Sequence, residues 1–187
     1  MWPNNLSIFN MKQIFSLHNT HILFLLCLFT PFMVQADCEN ITASTPDSRL
    51  IDDGDQTISD LATQLIWKKC SEGQENDEVC TGNASTHTWQ SALQVPQVLN
   101  ANEGFAGYND WRLPNIKELQ SIVEVACDAP SINSSRFPNT ASNNYWSNTA
   151  SADNSNNAWR VEFEKGESSA SRSARTSSYL VRLVRNQ

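Results

Sequence analysis

Histidine and positive charge are both scarce in this chain, and each shortage excludes something. Of its three histidines, His18 and His21 precede residue 37 and only His87 follows it. A Ser-His or Cys-His nucleophile pair in the body of the chain would have to rest on His87. Its neighbour Thr88 marks it instead as a residue at the start of a helix. Lysine and arginine number 13 against 20 acidic residues, giving a net charge of −7. That charge opposes nonspecific attraction to nucleic acid and to anionic membrane surfaces. It also disfavours a polyanionic glycan ligand unless the basic residues cluster. The Gly-x-Ser-x-Gly, His-Glu-x-x-His, Gly-x-Gly-x-x-Gly and phosphate-loop patterns are all missing, and with them the chemistries they serve. A glycosidase built on carboxylates alone stays open on residue grounds, since two well-placed acids suffice.

Acidic residues are absent from the first 36 positions; Asp37 is the first. Lys12 precedes an apolar run from Ile22 to Val34, which ends in Val34-Gln35-Ala36. A basic residue, an apolar stretch and small residues at −3 and −1 are the parts of a secretory signal peptide. The run is shorter than the roughly 20 residues that span a bilayer, and Pro31 interrupts it. Residues 1–36 are therefore expected to be a signal peptide cleaved after Ala36, with either Met1 or Met11 as the start. Asp37 stands where lipidation of Cys38 would want a small residue. The expectation is an exported protein (periplasmic, surface-held or secreted) that is not membrane-inserted. Its remaining 150 or so residues suffice for one domain with a core.

Cys27 falls in the leader, which leaves Cys38, Cys70, Cys80 and Cys127. An even count in an exported chain reads as two disulfides, with three possible connectivities. Cys70 and Cys80 bracket a polar loop with no core of its own, so their pairing is expected. Cys38–Cys127 then ties an N-terminal arm, residues 37–48, to the domain at 49–187. Zinc lacks Cys-x-x-Cys spacing here, and no cofactor is expected. The acids Asp52, Asp53, Asp55 and Asp60 are the one place to seek calcium, since hard cations want several carboxylates. They lack the twelve-residue EF-hand spacing and read better as a solvated hairpin turn.

Short strands are predicted over 49–51, 56–61 and 64–69, separated by tight turns. Thr88 caps a helix with Trp89, Ala92 and Leu93 on one face, which Pro96 kinks or ends. Pro114 opens a second helix whose apolar face is Ile116, Leu119, Ile122 and Val123. Residues 128–157, rich in Asn and Ser, read as long irregular surface. Strands return at Trp159-x-Val161-x-Phe163 and at 179–185. Trp67, Trp89 and Trp159 fall on predicted core faces. The class is α+β: two helices with short antiparallel strands, stapled by disulfides.

The run Gly107-Tyr-Asn-Asp-Trp-Arg-Leu-Pro-Asn-Ile-Lys-Glu-Leu-Gln-Ser-Ile-Val resembles the Lcl C-terminal domain family, named for the end domain of a collagen-like bacterial adhesin. Further matching stretches start at Asp53, Thr88, Phe137, Tyr145, Ala158 and Val181, covering roughly 49–186. The resemblance implies a bacterial, exported or surface-associated protein and suggests adhesion to glycans. The same order of motifs is similar to the formylglycine-generating branch of C-type-lectin-like folds, which implies a C-type-lectin-like architecture. That branch uses two cysteines near its C-terminus, and no cysteine follows Cys127, so its oxidase chemistry is excluded. Leu183 stands where related sequences often carry a cysteine, which leaves the partners of Cys38 and Cys127 open.

The expected function is a non-enzymatic binding module for a glycan or an extracellular protein, such as a partner in an envelope or pilus assembly. The expected ligand surface is loop 137–157. Trp146 and Tyr145 would be its aromatic platform, and Asn139, Asn143, Asn144 and Asn148 would pair with sugar hydroxyls. The competing account turns Trp146 inward to pin its own loop. Arg112, Arg182 and Arg185 offer a basic site as one reading, but they are expected to make structural hydrogen bonds under the loops instead.

Overall fold

The computed structural model describes residues 37–171 and 173–187; the expected signal peptide lies outside the described residues. In chain order the elements are β1 (Asp37–Cys38), β2 (Leu50–Asp52), β3 (Thr57–Asp60), β4 (Leu65–Lys68), α1 (Trp89–Ala101), α2 (Ile116–Ser121), β5 (Cys127–Asp128), β6 (Asn144–Ala150), β7 (Ala158–Glu162), β8 (Glu167–Ser169) and β9 (Val184–Asn186). One antiparallel sheet runs β2-β3-β4-β9, a second runs β6-β7-β8, and β1 pairs with β5. The class is α+β. In the turn after β2, Gly54 takes φ +79° and its N–H donates to Asp52 Oδ1 at 3.0 Å. That left-handed conformation is why the Asp-Asp-Gly-Asp signal is a turn.

Two apolar clusters fill the domain, and several strands feed both. Successive side chains in a strand point to opposite faces. Accordingly Tyr145 joins Leu50, Ile58, Trp67, Leu119, Ile132, Phe137, Val161 and Phe163 in one cluster. Its neighbour Trp146 joins Ile66, Ala92, Trp111, Ala158, Val181 and Leu183 in the other. Ile66 and Trp67 divide in the same way, as do Leu180 and Val181. A strand buried on both faces has no polar side to announce it. β6 is also bonded along both edges. It pairs with β7, while Trp146 N donates to Leu180 O and Leu180 N to Asn144 O, both at 2.9 Å.

Residues 128–157 are therefore not irregular surface throughout: a seven-residue strand crosses the middle of the domain there. The last predicted strand is correspondingly shorter. Only Val184–Asn186 ladders with β4, and 179–180 make single bridges to His87 and Tyr145. Trp159 is half-buried rather than core, whereas Val161 and Phe163 are fully buried.

Both helices begin at side-chain caps. Thr88 accepts from Ser91 N, and α1 then runs through Pro96, whose ring is buried beside Ala92 one turn earlier. The helix continues to Ala101 instead of stopping at the proline. In α2 the cap is Asn115, one residue after Pro114, and it forms a capping box: Asn115 Oδ1 accepts from Glu118 N at 2.9 Å, and Asn115 N donates to Glu118 Oε2 at 2.8 Å. Leu119 is the buried residue of this short helix, and Ile122 and Val123 follow it into the first cluster.

The disulfides are Cys38–Cys127, which joins β1 to β5, and Cys70–Cys80, which closes the loop after β4. Leu183 is fully buried in the second cluster. The 70–80 loop is also tied from inside by Arg182, a fully buried guanidinium. Arg182 donates to the carbonyls of Lys68 and Lys69, to Ser71 Oγ at 3.1 Å and to Thr140 Oγ1 at 2.7 Å, and lies over the Phe137 ring. Arg112 pairs with Glu118 and Arg185 with Asp110. The structural reading of these three arginines is the one the structure supports.

Candidate functional site

The expected aromatic platform does not exist as a surface. Tyr145 and Trp146 are each 0 % exposed. Tyr145 packs edge-on to Phe163, and its hydroxyl lies 3.0 Å from Ser71 Oγ. Trp146 packs against Tyr179, and its indole N–H donates to His87 O at 2.8 Å. With every polar atom satisfied inside, neither ring is available to stack on a ligand. The four asparagines are not gathered either. Asn139, in a positive-φ turn, donates to Cys80 O on the disulfide loop, while Asn148 donates to Leu113 O beside α2. Asn143 accepts from Asn144 N, and Asn144 is half-buried. The amides of Asn139, Asn143 and Asn148 support local backbone at three separate places.

The acid cluster divides as well. Asp52 pairs with Lys69 and Asp60 with Arg49, while Asp53 and Asp55 accept from the hydroxyls of Thr57 and Ser59. Among the described residues, no group of three or more His, Cys, Asp or Glu is placed to hold a metal ion. The carboxyls with a resolved pKa shift are all lowered, each by a structural partner. Burial works against Asp60 and Glu118, but bonds from Arg49 and Arg112 outweigh it. Catalytic acids are usually raised toward neutrality.

What the structure does offer is a groove of about 490 Å³ at the start of α1, lined by Thr88, Trp89, Gln90, Leu93, Arg175 and Thr176. Two segments build it. The start of α1 is sewn to loop 173–179 by Trp89 N to Arg175 O at 3.0 Å and by paired bonds between His87 and Tyr179. Arg175 is fixed from behind, its N–H donating to Asn156 O at 2.8 Å and its Nε to Asn157 O at 3.1 Å. Its guanidinium lies 4.3 Å above the Trp89 ring, a cation–π contact. Trp89 Nε1 donates to Ser147 O at 2.8 Å, so the ring is held on its edge, half-buried at the groove. A second groove, about 240 Å³, continues along α1 past Leu93 to Trp111, Arg112 and Asn148.

The sequence pattern placed Trp89 on a core face, and the ring does lean on the second cluster. Arg175 was missed because it sits in a Ser-rich stretch with no periodicity to assign. The one local signal was a lone arginine in that polar run, which spacing alone does not connect to Trp89.

With the two-cluster core, both disulfides and these grooves in view, the family assignment rests on a direct match. The model of the Lcl C-terminal domain matches residues 56–185, well over half of the chain. The chain belongs to the Lcl C-terminal domain family. No curated protein matches it. The motifs shared with the family map onto structural devices here. Trp111 and Leu113 of Trp-Arg-Leu-Pro are buried, Asn115 and Glu118 cap α2, and Tyr145-Trp146 divides between the two clusters. An Lcl C-terminal domain built this way uses its aromatic motifs to fold. Among the described residues, no helix is long and apolar enough to cross a membrane.

Proposed function

We propose that this Lcl C-terminal domain protein is an exported, non-enzymatic binding module that docks a protein partner at the bacterial envelope or surface. The observation that carries the reading is the Trp89–Arg175 pair, half-buried at the rim of a groove of about 490 Å³. Trp and Arg are the side chains that most often dominate protein interfaces. Glycan adhesion drew its support from Tyr145 and Trp146 as an exposed platform, and their burial removes that support. Export is supported by the leader pattern and the two disulfides. The non-enzymatic reading is supported by the linings of the two grooves along α1, in which no carboxylate stands. The order of elements supports, within the same proposal, a C-type-lectin-like assignment of the fold.

The test places a photo-crosslinking residue at Gln90, on the groove rim, in the exported protein. Crosslinks to a protease-sensitive partner that vanish in the folded double variant Trp89→Ala/Arg175→Gln are the expected result. Crosslinking that survives the double variant overturns the site. A captured partner sensitive to periodate and resistant to protease overturns the partner class in favour of a glycan.

A further inference from the structure

The groove that serves as the docking surface in the proposed function has a narrower chemistry than partner binding in general. We infer that it takes a chain-terminal carboxylate followed inward by one apolar side chain, so that the partner is held by its C-terminus. This rests on the reading of the Trp89–Arg175 groove as a protein-docking site.

Charge carries the first step. A guanidinium presents five N–H donors in a fixed fork. Arg175 uses Nε on Asn157 O, and its two terminal nitrogens have no hydrogen bond or ion pair among the described residues. The guanidinium is nevertheless held in place by the Trp89 ring and by backbone bonds on both sides of Arg175. A fork positioned in advance and left open matches a carboxylate in the bidentate mode. Among the described residues Arg175 is the one basic residue in the lining, and it brings one positive charge to the groove. One carboxylate balances that charge. A phosphate dianion or a polyanion would need more cations, in a chain whose net charge is −7.

The walls carry the second step. Trp89 and Leu93 give the groove an apolar side, with Thr88, Gln90 and Thr176 as polar groups at hand. A sugar carboxylate satisfies the fork equally well, but its ring is poorly served. The Trp89 face that would stack on it is occupied by Arg175. Its hydroxyls on that side would also lose water against Leu93. An aliphatic side chain gains from that same wall. The volume of about 490 Å³ lies in the range of small-ligand pockets and admits one or two residues, not a long segment. Capture of a terminal carboxylate is a known mode of peptide recognition.

The experiment follows the indole N–H resonance of Trp89, assigned with a Trp89→Phe variant, during titration of the exported protein. The probes are an N-acetylated tripeptide ending in leucine, as free acid and as carboxamide, and glucuronate. The expected result is saturable binding of the free acid, at least tenfold weaker binding of the amide, and weaker binding of glucuronate. Arg175→Gln, checked for an unchanged unfolding midpoint, is expected to bring the acid down to the level of the amide. Equal binding of acid and amide, or preference for glucuronate, overturns the inference. The acid–amide comparison needs no variant and stands if Arg175→Gln fails to fold. Crosslinking at Gln90 together with equal acid and amide binding would refute the terminal carboxylate while leaving the docking reading intact.

Discussion

Trp146 reaches from β6 to the start of α1, where its indole N–H donates to the carbonyl of His87 at 2.8 Å. The same ring packs on Tyr179 with centroids 4.5 Å apart, and His87 and Tyr179 bond to each other in both directions. One side chain therefore ties β6 to the two segments that frame the groove. Trp146→Ala is expected to cost about 3–5 kcal/mol in urea unfolding, the range for losing a large buried aromatic. Trp146→Phe keeps most of the ring, and the His87 carbonyl keeps the N–H of Tyr179, so losing the indole bond is expected to cost only about 0.5–1.5 kcal/mol. A Trp146→Ala protein of normal stability would contradict this packing.

That residue also shows how far the sequence can be read. The Thr88 cap and the apolar spacing around Leu119 made both helices legible, because such signals act within a turn or two of themselves; Pro114 was read as the start of the second, and the cap is Asn115 after it. The early strands were legible through turn residues such as Gly54. β6 was not. Its inward residues alternate between two cores, so Tyr145-Trp146 looked like an isolated aromatic pair in a polar run, and only the distant segments at 137, 161 and 180–184 supply its burial. Arg175 and Trp89 are 86 positions apart and meet through a loop with no pattern of its own. Local propensity reports what neighbours in the chain decide; it is silent on pairs that only the finished fold brings together.

The two disulfides close loops of very different length, with separations of 10 and 89 residues. In the loop-entropy account these are worth about 2.7 and about 4.6 kcal/mol respectively. Replacing Cys38 and Cys127 by alanine is therefore expected to destabilise the domain more than replacing Cys70 and Cys80. Paired unfolding curves decide the order. The reverse order would mean that native contacts of the 70–80 loop outweigh unfolded-state entropy.

Arg182 is expected to be indispensable to the region around that loop. Burial pulls its pKa below the ordinary value, and the guanidinium answers with bonds to two carbonyls and two hydroxyls. Arg182→Leu fits the volume but leaves those acceptors without their donor, for an expected loss of about 3 kcal/mol or more. Arg182→Lys keeps a charge but loses the fork and is expected to recover only part of it. Native stability in the leucine variant would show that the network is replaceable by apolar packing.

Glu124 gives the arm a pH-dependent anchor. Its carboxylate accepts from the backbone N–H groups of Ser44, Thr45 and Ala126 and from the hydroxyls of Ser44 and Thr45, at 2.7 to 3.1 Å. Burial alone would raise its pKa, but these donors outweigh burial and lower it from 4.5 to about 2. Because the folded value lies below the unfolded one, the stabilisation is complete above about pH 4.5. It is lost as the pH falls toward 2, with most of it gone by about pH 2.5. Asp52 and Asp60 are lowered too, so the total acid response is shared. The contribution of Glu124 is isolated by the difference between the unaltered protein and Glu124→Gln. At neutral pH that difference is expected to be about 1.5–3 kcal/mol, the range for hydrogen bonds to a charged group. Urea unfolding at a series of pH values should show the gap narrowing between pH 4.5 and 2.5. A gap that stays constant across that window would mean the carboxylate is not what holds Ser44 and Thr45 to the domain.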